Sequence, residues 1–302
     1  MPSKLENLAT ILVSTDLGPG SDQVVRAAAA LAKLTDARLH VLHTYEFQSA
    51  PYTDDVPAAT FQARIAQVRA ALDAQIERVV RDVDVASRDV MIYTAYKAIL
   101  ERAGQIGADL IVIGRHRGGG GLGGAFLGST ADHVVRSATA PCLIVHGPLS
   151  VPLTRVLVPI DLSQPALHAL DVALAWVSSL GAADTAPEIV VLHVIPRVYD
   201  FEDVPVDSGS VGSRMHHEIE AARTRAGVPT TLQMREDVRW GDDPVAEIVD
   251  YITRESIDLV VLGTHGYGAL KRALLGSVAS GVARSAACPV LLVPPALEST
   301  HD

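Results

Sequence analysis

The chain has 302 residues, 48% of them hydrophobic and 20% charged, with 25 basic against 35 acidic side chains for a formal net charge of −10. That hydrophobic content excludes a disordered or low-complexity chain. An acidic chain without a Lys/Arg run also excludes non-specific binding to nucleic acid or an anionic membrane surface. At about 150 residues per domain the length predicts two domains. Aromatics make up only 4%, so Ala, Val, Leu and Ile must build the cores, which suits helices packed on a parallel sheet.

Taken in chain order, residues 1–10 have no basic start followed by an apolar segment, so no signal peptide is expected. No apolar run approaches the ~18 residues of a membrane span, and the expected location is the cytoplasm. Ile11–Val13, Leu39–Leu42, Leu110–Ile113 and Leu143–Val145 are short apolar runs without polar alternation, which predicts buried strands. The loop Gly18-Pro19-Gly20-Ser21-Asp22 reads as a helix entry capped by Ser21. Phe61, Ile65, Val68, Leu72, Ile76 and Val79 step by three or four and predict an amphipathic helix between Thr60 and Arg81. Ser163 reads as the cap of a further helix, with Pro165 in its first turn and Gly181 past its end.

The sequence is written twice. Thr10–Leu17 matches Arg155–Leu162, Leu39–His43 matches Val190–His193, and Asp109–Gly114 matches Asp258–Gly263. Gly128–Val145 matches Gly276–Val293 with 10 of 18 positions identical. An offset of 145 to 150 throughout means that a whole domain is duplicated. The joint is Gly147–Pro152, so the expected domains are 1–148 and 149–302. Strands alternating with helices predict an α/β fold, two tandem doubly wound domains, each a parallel sheet flanked by helices. Ligands of such sheets sit beyond the carboxyl ends of the strands, where strand order reverses.

At that edge of the second repeat stand Gly263-Thr264-His265-Gly266 and, nine residues on, Gly276-Ser277. Glycines permit positive φ and close backbone approach. A Gly-Ser entry to a helix, here expected over Val278–Ala287, offers free amides to an anion. The pattern Gly-x2-Gly-x9-Gly-Ser follows the strand Val-Val-Leu and precedes a helix ending at Cys288-Pro289-Val290-Leu291-Leu292-Val293. It resembles the ATP-binding signature of the universal stress protein family. The resemblance takes in nearly the whole chain as two copies, including Asp16 and Asp161 after the first strand and His43 and His193 closing the second.

That resemblance implies a five-stranded parallel sheet in each domain, and an ATP-binding or structural protein that acts in regulation or protection under stress, usually as a dimer. Carried over by position, Pro159, Ile160 and Asp161 would line the adenosine. Val194 would pack on adenine above Leu262 and Gly263, and Gly266, Gly276, Ser277 and Val278 would hold the phosphates. Gly241-Asp242-Asp243-Pro244 resembles the loop that shapes the adenine side. In the first repeat the matching places hold Ser14, Thr15 and Asp16, then Thr44, Ile113 and Gly114, then Gly128, Ser129 and Thr130. ATP or a related adenine nucleotide is the expected ligand, with Mg2+ as its optional companion and an unnamed regulatory protein as partner. The closing strands, Leu143–Val145 and Leu291–Val293, are expected to pair within the chain as a pseudo-dimer, with a homodimer of chains as a further option.

The first repeat departs from the pattern. Gly114 to Gly128 is 14 steps against 13 from Gly263 to Gly276, and the second motif glycine is either replaced by Arg117 or displaced to Gly118 within the glycine-rich Gly118–Gly124. Its third-strand loop reads Thr94-Ala95-Tyr96-Lys97. Arg115, Arg117 and Lys97 either meet phosphate or are solvated surface residues. The second site is therefore expected to be the better one. Asp16 and Asp161 have two readings, as buried caps of the following loop or as ligand contacts, and ligand contact is favoured. His116 and His265 sit in the glycine loops, facing phosphate or simply exposed.

No metal site is expected. His40 and His43 lie on opposite strand faces, and the neighbours His216 and His217 cannot share a ligand. Cys142 and Cys288, far apart in apolar surroundings, read as buried reduced thiols. A phosphate cradle without an evident base or arginine finger argues for binding with at most slow hydrolysis, and no catalytic residue is assigned. The alternatives are an ATP-dependent enzyme of the same sheet type, and an interaction scaffold without nucleotide.

Overall fold

The apolar runs become strands and the stripes between them become helices, in the same order twice over. A computed structural model describes residues 8–46, 58–115, 127–181, 187–197, 208–229, 232–266 and 275–296. The N-terminal half comprises β1 (Thr10–Thr15), α1 (Ser21–Thr35), β2 (Arg38–Thr44), α2 (Ala58–Val79), β3 (Val85–Met91), α3 (Ala95–Ile106), β4 (Leu110–Gly114), α4 (Ser129–Ser137) and β5 (Cys142–Val145). The C-terminal half comprises β6 (Arg155–Pro159), α5 (Gln164–Leu180), β7 (Glu188–Ile195), α6 (Ser208–Ala226), β8 (Met234–Trp240), α7 (Pro244–Arg254), β9 (Leu259–Gly263), α8 (Ser277–Ser285) and β10 (Val290–Val293).

The strand order is β3-β2-β1-β4-β5-β10-β9-β6-β7-β8, one sheet of ten strands. Within each half every pairing is parallel. The two closing strands meet antiparallel, with Val290 opposite Ile144, Leu291 opposite Leu143 and Leu292 opposite Cys142. Each half therefore covers the strand edge that the other would leave open. The outer strands β3 (VASRDVM) and β8 (MREDVRW) carry charged residues, which discourages further pairing at the edges.

Alternation along each buried strand feeds two cores. Ile11, Val13, Leu39 and Val41, with Val156, Val158, Ile189 and Val191, face α1, α2, α5 and α6. Leu12, Leu42, Ile111 and Ile113, with Val190, Leu192, Val260 and Leu262, face α3, α4, α7 and α8. Both cores run unbroken through the two halves because the β5–β10 pairing aligns their strands. Of the expected stripe of α2, Ile65, Leu72, Ile76 and Val79 are buried, while Phe61 and Val68 are half-buried. Cys142 and Cys288 are buried and free, and burial pushes both thiols up to about 12.

Helix ends differ in places from the sequence expectation, and α2 covers Ala58–Val79 rather than Thr60–Arg81. Ser21 is the first residue of α1 rather than its cap. Its hydroxyl donates back to Gly18 O at 2.7 Å and closes the preceding turn. Ser163 does stand at the N-cap of α5, with proline in the first turn and Gly181 beyond the last, yet its hydroxyl makes no capping bond. Helix α8 covers Ser277–Ser285 instead of Val278–Ala287. Ala286 is already extended, at φ −59° and ψ 144°, as the chain turns toward Pro289 and β10.

Candidate functional site

Strand order reverses between β1 and β4 and again between β6 and β9, and the crevice of the second half opens above β6 and β9. Its floor is fixed by His193, whose Nδ1 lies 2.7 Å from Ile160 O. A carbonyl only accepts, so that nitrogen carries the proton. His43 does the same to Thr15 O at 2.8 Å. The chain then turns sharply. Asp161 Oδ1 accepts from Ser163 N at 3.0 Å, with Leu162 between them at φ +63°. Asp16 Oδ1 accepts from Gly18 N at 2.8 Å, with Leu17 at φ +60°. A left-handed leucine costs of order 1–3 kcal/mol, and its recurrence in both halves marks the turn as built to aim the groups around it. Both aspartates thus cap their loops. Neither is a buried carboxylate, since Asp16 is exposed and Asp161 half-buried.

The motif glycines are needed for close approach, not for positive φ. Among the described residues the glycines at positive φ are Gly107 and Gly227, which corrects the conformational reading. A Cβ on Gly263 would stand 2.7 Å from Pro165 O, because β9 ends against the first turn of α5. A Cβ on Gly266 would stand 2.7 Å from Asp161 Oδ2, which places Gly266 directly on the aspartate turn. Gly276 N donates to Thr264 O at 2.8 Å and closes the loop, and Gly276 caps α8. Ser277 at the helix start is exposed and Val278 half-buried, so the free amides of the first turn face outward at this edge. Pro159, Ile160 and Leu262 are buried below, and Val194 is half-buried on the α7–α8 side. Beside it Asp243 Oδ1 accepts from Val245 N at 2.9 Å and Pro244 opens α7.

Among the described residues, two buried side-chain atoms in these segments have no partner. Ser163 is 6% exposed and its Oγ is unpaired. His265 has Nδ1 bonded to Thr264 Oγ1 at 2.8 Å, while its Nε2 is buried and unpaired. A buried polar atom left unmatched costs roughly 1–3 kcal/mol, and two in adjoining segments point to a group that binds there. The sequence reading took Ser163 for a helix cap and missed this. The available signal was the repeat itself, since Gly18 stands in the matching place.

In the first half the matching residues also come to the carboxyl edge. Thr44 ends β2, Gly114 ends β4 with a would-be Cβ 3.1 Å from Val24 Cγ2, and Gly128 caps α4 ahead of Ser129 and Thr130. His116, Arg117 and Gly118–Gly124 lie outside the described residues. Arg115 departs from the phosphate expectation. Its Nη1 donates to Arg284 O in the other half. Lys97 is exposed, with Nζ 5.9 Å from the Tyr93 ring centroid and 6.0 Å from that of Tyr96.

The helix pairs α3–α4 and α7–α8 are also packed differently. Tyr96 on α3 stacks on His133 of α4 with centroids 4.7 Å apart. The matching pair is Val245 and Gly281, where a Cβ on the glycine would meet Val245 Cγ2 at 2.6 Å. Two rings separate one helix pair, and a bare glycine brings the other together.

Among the described residues no three His, Cys, Asp or Glu side chains are grouped to hold a metal ion, and no helix is long and apolar enough to cross a membrane. The sequence profile of the Universal stress protein family matches residues 8–146 and again 152–294. A universal stress protein of Mycolicibacterium smegmatis is 30% identical over 94% of this chain and 97% of its own. One of Mycobacterium tuberculosis H37Rv is 31% identical over 61% of each chain. The crystal structure of a universal stress protein from Archaeoglobus fulgidus shares the fold with a TM-score of 0.69 at 20% identity, covering 96% of this chain and 97% of that one. With a family match in each half and a tandem relative aligned from end to end, the chain belongs to the universal stress protein family.

Proposed function

We propose that this chain is an ATP-binding regulatory protein whose working site lies at the carboxyl edge of the C-terminal half. The observation that carries the reading is the pair of buried, unpaired atoms, Ser163 Oγ and His265 Nε2, beside a glycine loop and the open amino end of α8. The residues fit the ligand. Glycine at 263 and 266 lets the backbone sit against α5 and the aspartate turn, and Ser277, exposed at the start of α8, leaves first-turn amides for phosphate oxygens. Val194, half-buried, offers apolar surface to a base, and Asp161 offers acceptors to ribose hydroxyls. The sequence carries no Gly-Lys-Ser/Thr phosphate-loop lysine, which favours binding with at most slow hydrolysis. The N-terminal half is the weaker site, because Arg115 is engaged elsewhere and its loop differs in length by one residue. Calorimetric titration of the full chain with ATP, adenosine and inorganic triphosphate tests this. Saturable ATP binding stronger than either fragment is expected, and no heat with ATP would overturn it.

A further inference from the structure

We propose that Arg115 of the N-terminal half is a positioning residue for the nucleotide site of the C-terminal half. Its guanidinium caps the carboxyl end of α8, the helix whose amino end faces phosphate. This rests on the nucleotide reading above.

Arg115 follows Gly114 at the end of β4, and its backbone is tied down by Arg115 N donating to Val145 O at 3.1 Å. The side chain then crosses the junction of the halves and Nη1 donates to Arg284 O. Residue 284 lies in the last turn of α8, where carbonyls have no helical amide four residues on. Ala286 N takes Val282 O, and the guanidinium takes Arg284 O. The bond is charge-assisted, and a cation at a helix carboxyl end is favoured by the helix dipole. Arg284 does not do this for itself, because its own Nε donates to Ser280 O at 3.0 Å.

The neighbourhood is tight. A Cβ on Gly147 would be 3.3 Å from Ala287 O, and β5 pairs with β10 just below. His146 next door has its ring pushed down to about 4 by burial and by the Arg115 charge. The matching place in the other half holds Thr264, which bonds its own neighbour His265 instead. The clamp therefore runs from the first half onto the second. Helix α8 has nine residues, about 13 Å of stiff rod. Freeing its carboxyl end lets the whole rod shift, and hydrogen bonds at the amino end tolerate only a few tenths of an ångström.

The test compares full-length wild type, Arg115→Ala and Arg115→Lys by ATP calorimetry and by amide exchange at residues 284–287. Arg115→Ala is expected to weaken ATP binding about three- to tenfold. It should also speed exchange at Ala286 and Ala287 while leaving Leu143 and Leu291 protected. Arg115→Lys keeps the charge and a donor and is expected to restore most of both. Wild-type affinity in Arg115→Ala overturns the proposal. Equal loss in both variants with unchanged exchange also overturns it, since that pattern assigns Arg115 a direct phosphate contact. If wild type binds no ATP, the nucleotide reading fails by itself. The exchange data then still decide the clamp, and unchanged exchange in Arg115→Ala overturns that too.

Discussion

Ser163→Ala is expected to act in opposite directions on the empty and the ligand-bound chain. Replacing an N-cap serine by alanine ordinarily costs about 0.5–2 kcal/mol. Here that loss does not arise, because the hydroxyl makes no capping bond. The residue is 6% exposed and its Oγ unpaired, so the change instead removes an unmatched polar atom worth roughly 1–3 kcal/mol of destabilisation. The empty variant should be more stable by about 1 kcal/mol, a rise of about 2 °C in Tm for a chain of this size. With ATP the sign reverses. A hydroxyl bonded to a charged ligand is worth about 1.5–3 kcal/mol, so affinity should fall about tenfold or more. Thermal unfolding without nucleotide and calorimetry with it measure the two arms. A variant less stable than wild type when empty shows that the hydroxyl does cap α5, and unchanged ATP affinity shows that it never meets the ligand. Either result refutes the reasoning.

Gly276→Val places a branched side chain where Thr264 O already stands 3.3 Å from a would-be Cβ, and should lower total ATP binding more than tenfold. Gly128→Val should matter less, and calorimetry showing the reverse would make the first half the working site. Both thiols, held at about 12 by burial, should label slowly in the native state at pH 8 and rapidly in denaturant; fast native labelling contradicts their burial. His146 has a folded pKa of about 4 against an ordinary 6.5. Its neutral form therefore contributes stability that is present above pH 6.5 and is lost as pH falls toward 4. His146→Phe should lose less stability than wild type between pH 7 and 4.5 in denaturant titrations, and equal losses would show that this ring does not titrate there.

The strands were legible because a strand buried on both faces must be continuously apolar, as Leu110–Ile113 and Leu259–Leu262 are. The duplication was legible because both copies keep the same buried positions. The meeting of β5 and β10 was expected from the family resemblance, in which such strands pair across a dimer interface, and here it forms within one chain. What the sequence did not reveal depends on distances between segments remote in the chain. Gly263 reads as a loop glycine, and only the fold shows Pro165 O where its side chain would be. Ser163 has the right identity and place for a cap, and only the geometry shows its hydroxyl unspent. Arg115 reads on charge alone as a phosphate contact or a solvated surface residue. The strand pairing brings the end of α8 beside β4, and its guanidinium donates to Arg284 O instead. The stack of Tyr96 on His133 was hidden for the same reason, since each residue is unremarkable on its own helix.

The most direct test of the central claim is mass spectrometry of the small molecules released when freshly purified full-length protein is denatured. The account predicts an adenine nucleotide, lost from the Gly276→Val chain and retained by Gly128→Val. A wild-type chain that releases no adenine nucleotide, and that stays empty after incubation with ATP and desalting, would contradict it.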